Sequence, residues 1–142
     1  MFESRTKVRV RYAETDQMDV VYHGNYAQYF EVARAEAIRE LGFTYKAMEE
    51  VGVHMPIVEL HCKYLRPAHY DDLLTVHVLL KELPLDHRIE FHHEVMNEEG
   101  KLLTIGRVVL YFIDSKTKQK TAMPEVLKDK LKPFFTSADP IV

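Results

Sequence analysis

The sequence predicts an α+β fold in which an antiparallel β-sheet wraps around one long α-helix. Three observations predict it. A single apolar stripe at helical spacing follows Asn25, at Tyr26, Phe30, Ala33, Ala37 and Leu41. Most of the remaining chain alternates with the period of strands, broken by loops of hairpin length. A lone helix of about four turns cannot cover its own stripe, so the sheet must cover it.

Residues 7–13 open the pattern. Val8, Val10 and Tyr12 take one face and Lys7, Arg9 and Arg11 the other, which predicts a half-buried strand that delivers Tyr12 inward. The helix begins after Asn25, a residue suited to the N-cap, and ends before Gly42, suited to the C′ position. Ala33 and Ala37 in its stripe let a sheet approach closely. A second, shorter helix fits residues 44–51, with Thr44 as cap and Gly52 as stop. Val58, Leu60, Cys62 and Tyr64 then share a face opposite Glu59, His61 and Lys63, until Pro67 ends the run. After Asp71-Asp72 comes the apolar segment 73–80, followed by a connection at 83–86. Ile89, Phe91, His93 and Val95 alternate with Arg88, Glu90, His92 and Glu94, and Asn97-Glu98-Glu99-Gly100 reads as a hairpin loop. Residues 101–114 are apolar on both faces from Val108 to Ile113, as an interior strand is. A turn at 114–118 and a closing helix over 124–131, with Pro124 in its first turn, complete the order. The tail after Pro133 is expected to be loose. With no linker, repeat or low-complexity segment, residues 1–142 read as one domain with a core at about 5–135.

Bulk properties narrow the class. The chain has 142 residues, 46% of them hydrophobic and 29% charged, and a formal net charge of −3. That length allows a substantial core. The charge argues against nucleic acid, whose partners carry a basic face. No apolar run approaches the ~18 residues of a membrane span. The N-terminal stretch Met-Phe-Glu-Ser-Arg-Thr-Lys has no apolar core and does not read as a signal peptide. One cysteine, Cys62, allows no intrachain disulfide and fits a reducing compartment, so a cytoplasmic protein is expected.

The chemistry concentrates in residues 12–26, between the first strand and the long helix. This stretch holds the carboxylates Glu14, Asp16 and Asp19, the tyrosines Tyr12, Tyr22 and Tyr26, His23, and a Gly24-Asn25 step at the helix start. Asp16 has two readings from pattern alone, a loop residue closing an Asx-turn or a catalytic carboxylate. Tyr12 either orients Asp16 through its hydroxyl or is a core tyrosine. Unpaired amides at His23 and Gly24, with the positive end of the helix dipole, suit a developing oxyanion. Asn25 is either an N-cap or a polar contact to a ligand, and Tyr22 and Tyr26 are pocket walls or core. Glu14 and Asp19 read as structural or solvent-facing. The eight histidines suggest no metal site, because His92 and His93 point to opposite faces, as do His61 and Cys62, and zinc needs three or four converging ligands. His93, on an apolar face, is expected to be a hydrogen-bonded core histidine. Lys63 and Arg66 are either solvated charges or contacts for phosphate.

The run Tyr-x-x-x-Asp-x-x-x-Val-Val-Tyr-His-x-Asn-Tyr, residues 12–26, resembles the signature of the hotdog-fold 4-hydroxybenzoyl-CoA thioesterase family, in particular its YbgC-like acyl-CoA thioesterases. The likeness extends to Tyr-Phe-Glu-x-Ala-Arg at 29–34, to Tyr64-x-Arg66-Pro67-Ala68 and to Asp71-Asp72. It implies hydrolysis of an acyl-CoA, or of an acyl group on acyl carrier protein, to free acid and thiol. It also implies a homodimer joined through edge strands, or a homotetramer built from two dimers, with the active site at the protomer interface. By residue-for-residue correspondence Asp16 is the catalytic carboxylate, as general base or nucleophile. The backbone amide at His23, with Gly24 beside it, polarises the carbonyl, and the His23 side chain assists. No cofactor is implied, since coenzyme A belongs to the substrate. Asp19 departs from the family, which has a small residue there, most often Gly. A Gly implies a positive φ, which Asp tolerates better than most residues.

Two other functions fit the same fold. One is a non-catalytic module binding acyl-CoA or acyl carrier protein, which has no need of both Asp16 and His23. The other is a dehydratase, which needs a carboxylate from the central helix facing an inward histidine. Glu31 and Glu36 lie away from the apolar stripe, and the helix carries no histidine.

Overall fold

The computed structural model of the chain describes residues 1–135. Five strands form one antiparallel sheet in the order β1-β4-β5-β6-β3. They are β1 (Phe2–Arg9), β3 (Ile57–Tyr64), β4 (Leu73–Leu80), β5 (Arg88–Met96) and β6 (Leu102–Tyr111). A two-stranded ladder pairs β2 (Val53–His54) with β7 (Ile113–Asp114). The helices are α1 (Tyr26–Glu40), α2 (Tyr45–Glu50) and α3 (Glu125–Leu131).

The sheet covers α1 as the stripe requires. Phe30, Ala33 and Ala37 are wholly buried, and the covered face widens to include Tyr26, Tyr29, Arg34 and Ile38. Leu41 is only half-buried. Phe30 stacks on His93 of β5, with ring centroids 4.5 Å apart. Its other neighbour is bare backbone, because a Cβ added at Gly106 of β6 would lie 2.5 Å from Phe30 Cζ. Burying such a ring contributes roughly 2–3 kcal/mol. Gly42 ends α1 with φ +80°, and the Thr44 hydroxyl accepts the Ala47 N–H at 3.0 Å to cap α2.

Several expectations are corrected. The first strand runs over Phe2–Arg9 rather than 7–13. Its inward phase is as expected through Phe2, Ser4 and Val10, but the chain then turns. Tyr12 therefore sits in a single 3₁₀ turn, Tyr12–Glu14, and is 77% exposed. In β3 a bulge falls at Val58, so Ile57, not Val58, joins Leu60, Cys62 and Tyr64 on the inward face. That face is left largely open: Leu60 and Tyr64 are 45% and 49% exposed. The chain from β3 to β4 is no hairpin; it crosses the sheet, since β3 pairs with β6. Pro124 precedes α3 at its N-cap instead of lying in its first turn. Lys132–Phe135 form a further 3₁₀ turn, and the rest of the expected loose tail lies outside the described residues. His93 is buried, but neither ring nitrogen has a hydrogen-bond partner among the described residues. Burial, with a smaller contribution from Arg34, pushes its pKa down to about 3. No helix among the described residues is long and apolar enough to cross a membrane.

Candidate active site

The loop between β1 and α1 is built as a tied hairpin. Val10 N–H donates to Asp72 O at 2.9 Å and Asp71 N–H returns to Val10 O at 3.0 Å, which fixes where the strand ends. After the 3₁₀ turn, Thr15 bridges Val21 and Val20 bridges His69 in antiparallel fashion. Asp16 N–H donates to Val20 O at 2.8 Å and Asp19 N–H to Asp16 O at 3.0 Å, closing the tip. The tip requires Asp19 in the left-handed region, and its φ is 65°. This is the positive φ expected at the family's small residue.

Asp16 is half-buried, and its Oδ1 accepts the Met18 N–H at 2.8 Å. The Asx-turn reading is thus observed, and it holds the carboxylate in one orientation. Tyr12 makes no hydrogen bond to it among the described residues and instead packs edge-to-face on Tyr70, centroids 5.7 Å apart. The turn into the 3₁₀ segment at residue 12 rotates this side chain away from the core.

The helix start is a 3₁₀ turn, His23–Asn25, continuous with α1. Its first internal bond runs from Asn25 N–H to Tyr22 O at 2.9 Å, so the His23 and Gly24 amides precede the bonded series. Asn25 already has helical backbone angles and its side chain makes no cap bond. Its amide Nδ2 donates to Glu14 O at 2.9 Å instead, linking helix to loop. Gly24 leaves room for the Tyr22 ring, which would lie 2.8 Å from an added Cβ. The His23 ring packs on Tyr22 at 4.3 Å and faces Tyr64 of β3 at 6.3 Å. Tyr64 donates its hydroxyl to His23 O at 3.2 Å, and its ring lies 5.4 Å from that of buried Tyr26. Burial and the adjacent Cys62 push the Tyr64 pKa up to about 12, so this donor stays protonated.

Beneath the loop lies Glu14, 6% exposed. Its Oε1 accepts Arg11 N–H at 2.9 Å and the Tyr29 hydroxyl at 2.8 Å, and its Oε2 accepts Arg11 Nε–H at 2.8 Å. Burial alone would raise its pKa, but these donors outweigh it and hold the carboxyl below its ordinary value. Burial and the Glu14 charge push the Tyr29 hydroxyl pKa up.

The residues expected at the site thus divide. Asp16, His23, Gly24, Tyr22, Asn25 and Tyr26 lie on the loop or the helix start it is tied to, while Tyr12 leaves the group. Tyr64, Glu14, Arg11 and Tyr29 join it. Tyr64 stood within a recognised motif, and Arg11 with Glu14 formed an opposite-charge pair three residues apart, which was the available signal. A cavity of about 630 Å³ lies elsewhere, between α1, α2 and β2, lined by Glu31, Arg34, Tyr45, Met48 and Met55 among others. None of the loop residues lines it.

Residues 10–131 match the Thioesterase-like superfamily. The chain belongs to this superfamily. Over 102 residues it is 38% identical to YneP of Bacillus subtilis, spanning 72% of this chain and 73% of that one. It is 28% identical over 128 residues to the acyl-CoA thioester hydrolase YbgC of Escherichia coli, spanning 90% and 95% of the two chains. The solved structure of the DHNA-CoA thioesterase from Staphylococcus aureus matches with a TM-score of 0.87 at 32% identity, covering 99% of this chain and 98% of that one. The wrapped helix is accordingly the hotdog fold that residues 12–26 implied.

Proposed function

We propose that this chain hydrolyses acyl-CoA thioesters, with Asp16 as the carboxylate and the amides at His23 and Gly24 as oxyanion donors. One observation carries the reading. In a chain of the thioesterase-like superfamily, Asp16 is oriented by its own turn, on a loop whose Thr15–Val21 pairing folds it back onto the segment that leads into a helix start with unbonded amides at His23 and Gly24.

Asp16 takes a proton from water as the oxygen adds to the thioester carbon, or adds directly to give an anhydride that water then opens. The carbonyl oxygen becomes an oxyanion facing the amides, a donor there contributing roughly 3–4 kcal/mol. Collapse breaks the C–S bond and releases thiolate, a good leaving group that needs no strong acid; the His23 imidazole assists the proton transfer. Tyr22 and Asn25 line the approach of the acyl group, with the buried Tyr26 ring packed beneath them as a substrate-side wall. The reaction needs no cofactor, and coenzyme A enters and leaves as part of the substrate. Acyl carrier protein is an alternative carrier. A homodimer or homotetramer is supported by the open apolar face of edge strand β3, whose Tyr64 touches His23. Pairing there brings a second protomer to the site.

Asp16→Asn, an isosteric change at a half-buried position, is expected to fold normally and to release thiol roughly 10²–10⁴-fold more slowly in a chromogenic assay over a panel of acyl-CoAs. Full activity in that variant would refute the role of Asp16. Ligand-dependent stabilisation of the wild type without thiol release would favour the binding module.

A further inference from the structure

Glu14 is the one buried carboxylate among the described residues, and the reaction above gives it no task. Its contacts run in two directions. The carboxylate joins Arg11, ahead of the 3₁₀ turn, to Tyr29 on α1. The carbonyl of the same residue accepts Tyr22 N–H at 2.9 Å and Asn25 Nδ2 at 2.9 Å, at the start of the helix. Residue 14 is therefore fastened to the helix at both its side chain and its backbone, two positions before Asp16. No other residue of the loop has both kinds of tie in the hydrogen bonds of the described residues. Tyr29 is itself 2% exposed and packs edge-to-face on Tyr26, so the anchor is rigid at its far end.

We propose that Glu14 is a positioning residue for hydrolysis, its bridge from Arg11 to Tyr29 setting where the Asp16 carboxylate stands relative to the His23 and Gly24 amides. The inference rests on the reading of Asp16 as the reacting carboxylate. A small displacement of a correctly oriented group is enough to matter, since about 1 Å of misplacement can cost on the order of 10²-fold in rate. Glu14 does not touch the reacting atoms, so its loss should alter kcat while leaving the substrate's affinity nearly unchanged.

The test uses Glu14→Gln and Tyr29→Phe in the full chain, assayed for thiol release at a temperature where circular dichroism shows each variant folded. Both variants are expected to lose roughly tenfold or more in kcat with KM within about twofold. In the Asp16→Asn background, Glu14→Gln should change the residual rate by less than about twofold, because an effect exerted through Asp16 vanishes with it. A purely structural Glu14 would lower Tm and leave kcat of the folded variants unchanged, and that result would overturn the proposal. A full multiplicative loss in the double variant would also overturn it. Tyr29→Phe keeps the test decisive if Glu14→Gln does not fold. Wild-type chain without thiol release, or Asp16→Asn at full rate, would instead refute the reaction assignment, and the positioning role with it.

Discussion

His93 makes the stability of this fold depend on pH in a way that can be worked from its surroundings. The ring is 1% exposed, stacked on Phe30, and without a hydrogen-bond partner on either nitrogen among the described residues. Its pKa falls from 6.5 to about 3 on folding, because burial and then the nearby Arg34 charge disfavour the imidazolium. The unfolded chain therefore binds a proton below pH 6.5 that the folded chain refuses until about pH 3. Stability is at its full value above the unfolded pKa and is lost as pH falls toward the folded one. Between pH 7 and pH 5 this single group should remove about 2 kcal/mol, and the complete loss near pH 3 approaches about 5 kcal/mol. Urea unfolding at pH 7 and pH 5 measures the difference directly. The matched variant is His93→Leu, which fills a similar volume and has nothing to protonate. It is expected to lose about 2 kcal/mol less than wild type over the same interval. At pH 7 it should also be at least as stable, since two unsatisfied nitrogens, each costing roughly 1–3 kcal/mol, disappear. Identical pH dependence in the two proteins would refute the argument.

Two further outcomes are expected. Asp19→Gly relieves a left-handed cost of roughly 1 kcal/mol while adding unfolded-state freedom of similar size, so Tm should move by no more than a few degrees and thiol release should stay within about twofold; a large loss of activity would show that the Asp19 carboxylate takes part. Gly106→Ala places a methyl 2.5 Å from Phe30 Cζ and is expected to destabilise by roughly 1–3 kcal/mol, about 4 °C in Tm per kcal/mol, read by calorimetry; an unchanged Tm would mean that the ring has room to move.

Those features that depend on local periodicity were legible in the sequence. The stripe on α1 and the alternation of β5 follow from side-chain geometry alone, and the positive φ of Asp19 followed from what a small residue at that position means. Alternation cannot tell where a ladder stops pairing, which is why Tyr12 was expected inward: Val10 bonds to Asp72 and the chain turns, although the pattern continues. Nor can it tell whether an apolar face is covered within one chain. Leu60 and Tyr64 alternate like core residues and are half open. Arg34 and Glu14 escaped for a different reason. Each is a charged residue in the interior, and a search for apolar stripes passes over both. The Arg11–Glu14 charge pair is visible in the sequence, but the burial of Glu14 is intelligible only once Tyr29, fifteen residues later, is beside it.

The bare patch of β6 backbone beneath Phe30 has a mechanical consequence. Thr104 and Val108, the inward neighbours of Gly106 along the strand, are both fully buried, so the ring rests in a notch with a side chain on either side. Moving Phe30 along β6 would drive the ring into one or the other. Phe30 thus keys α1 against movement along β6, and the amides at the start of the same helix are carried by an element that the sheet itself holds in register.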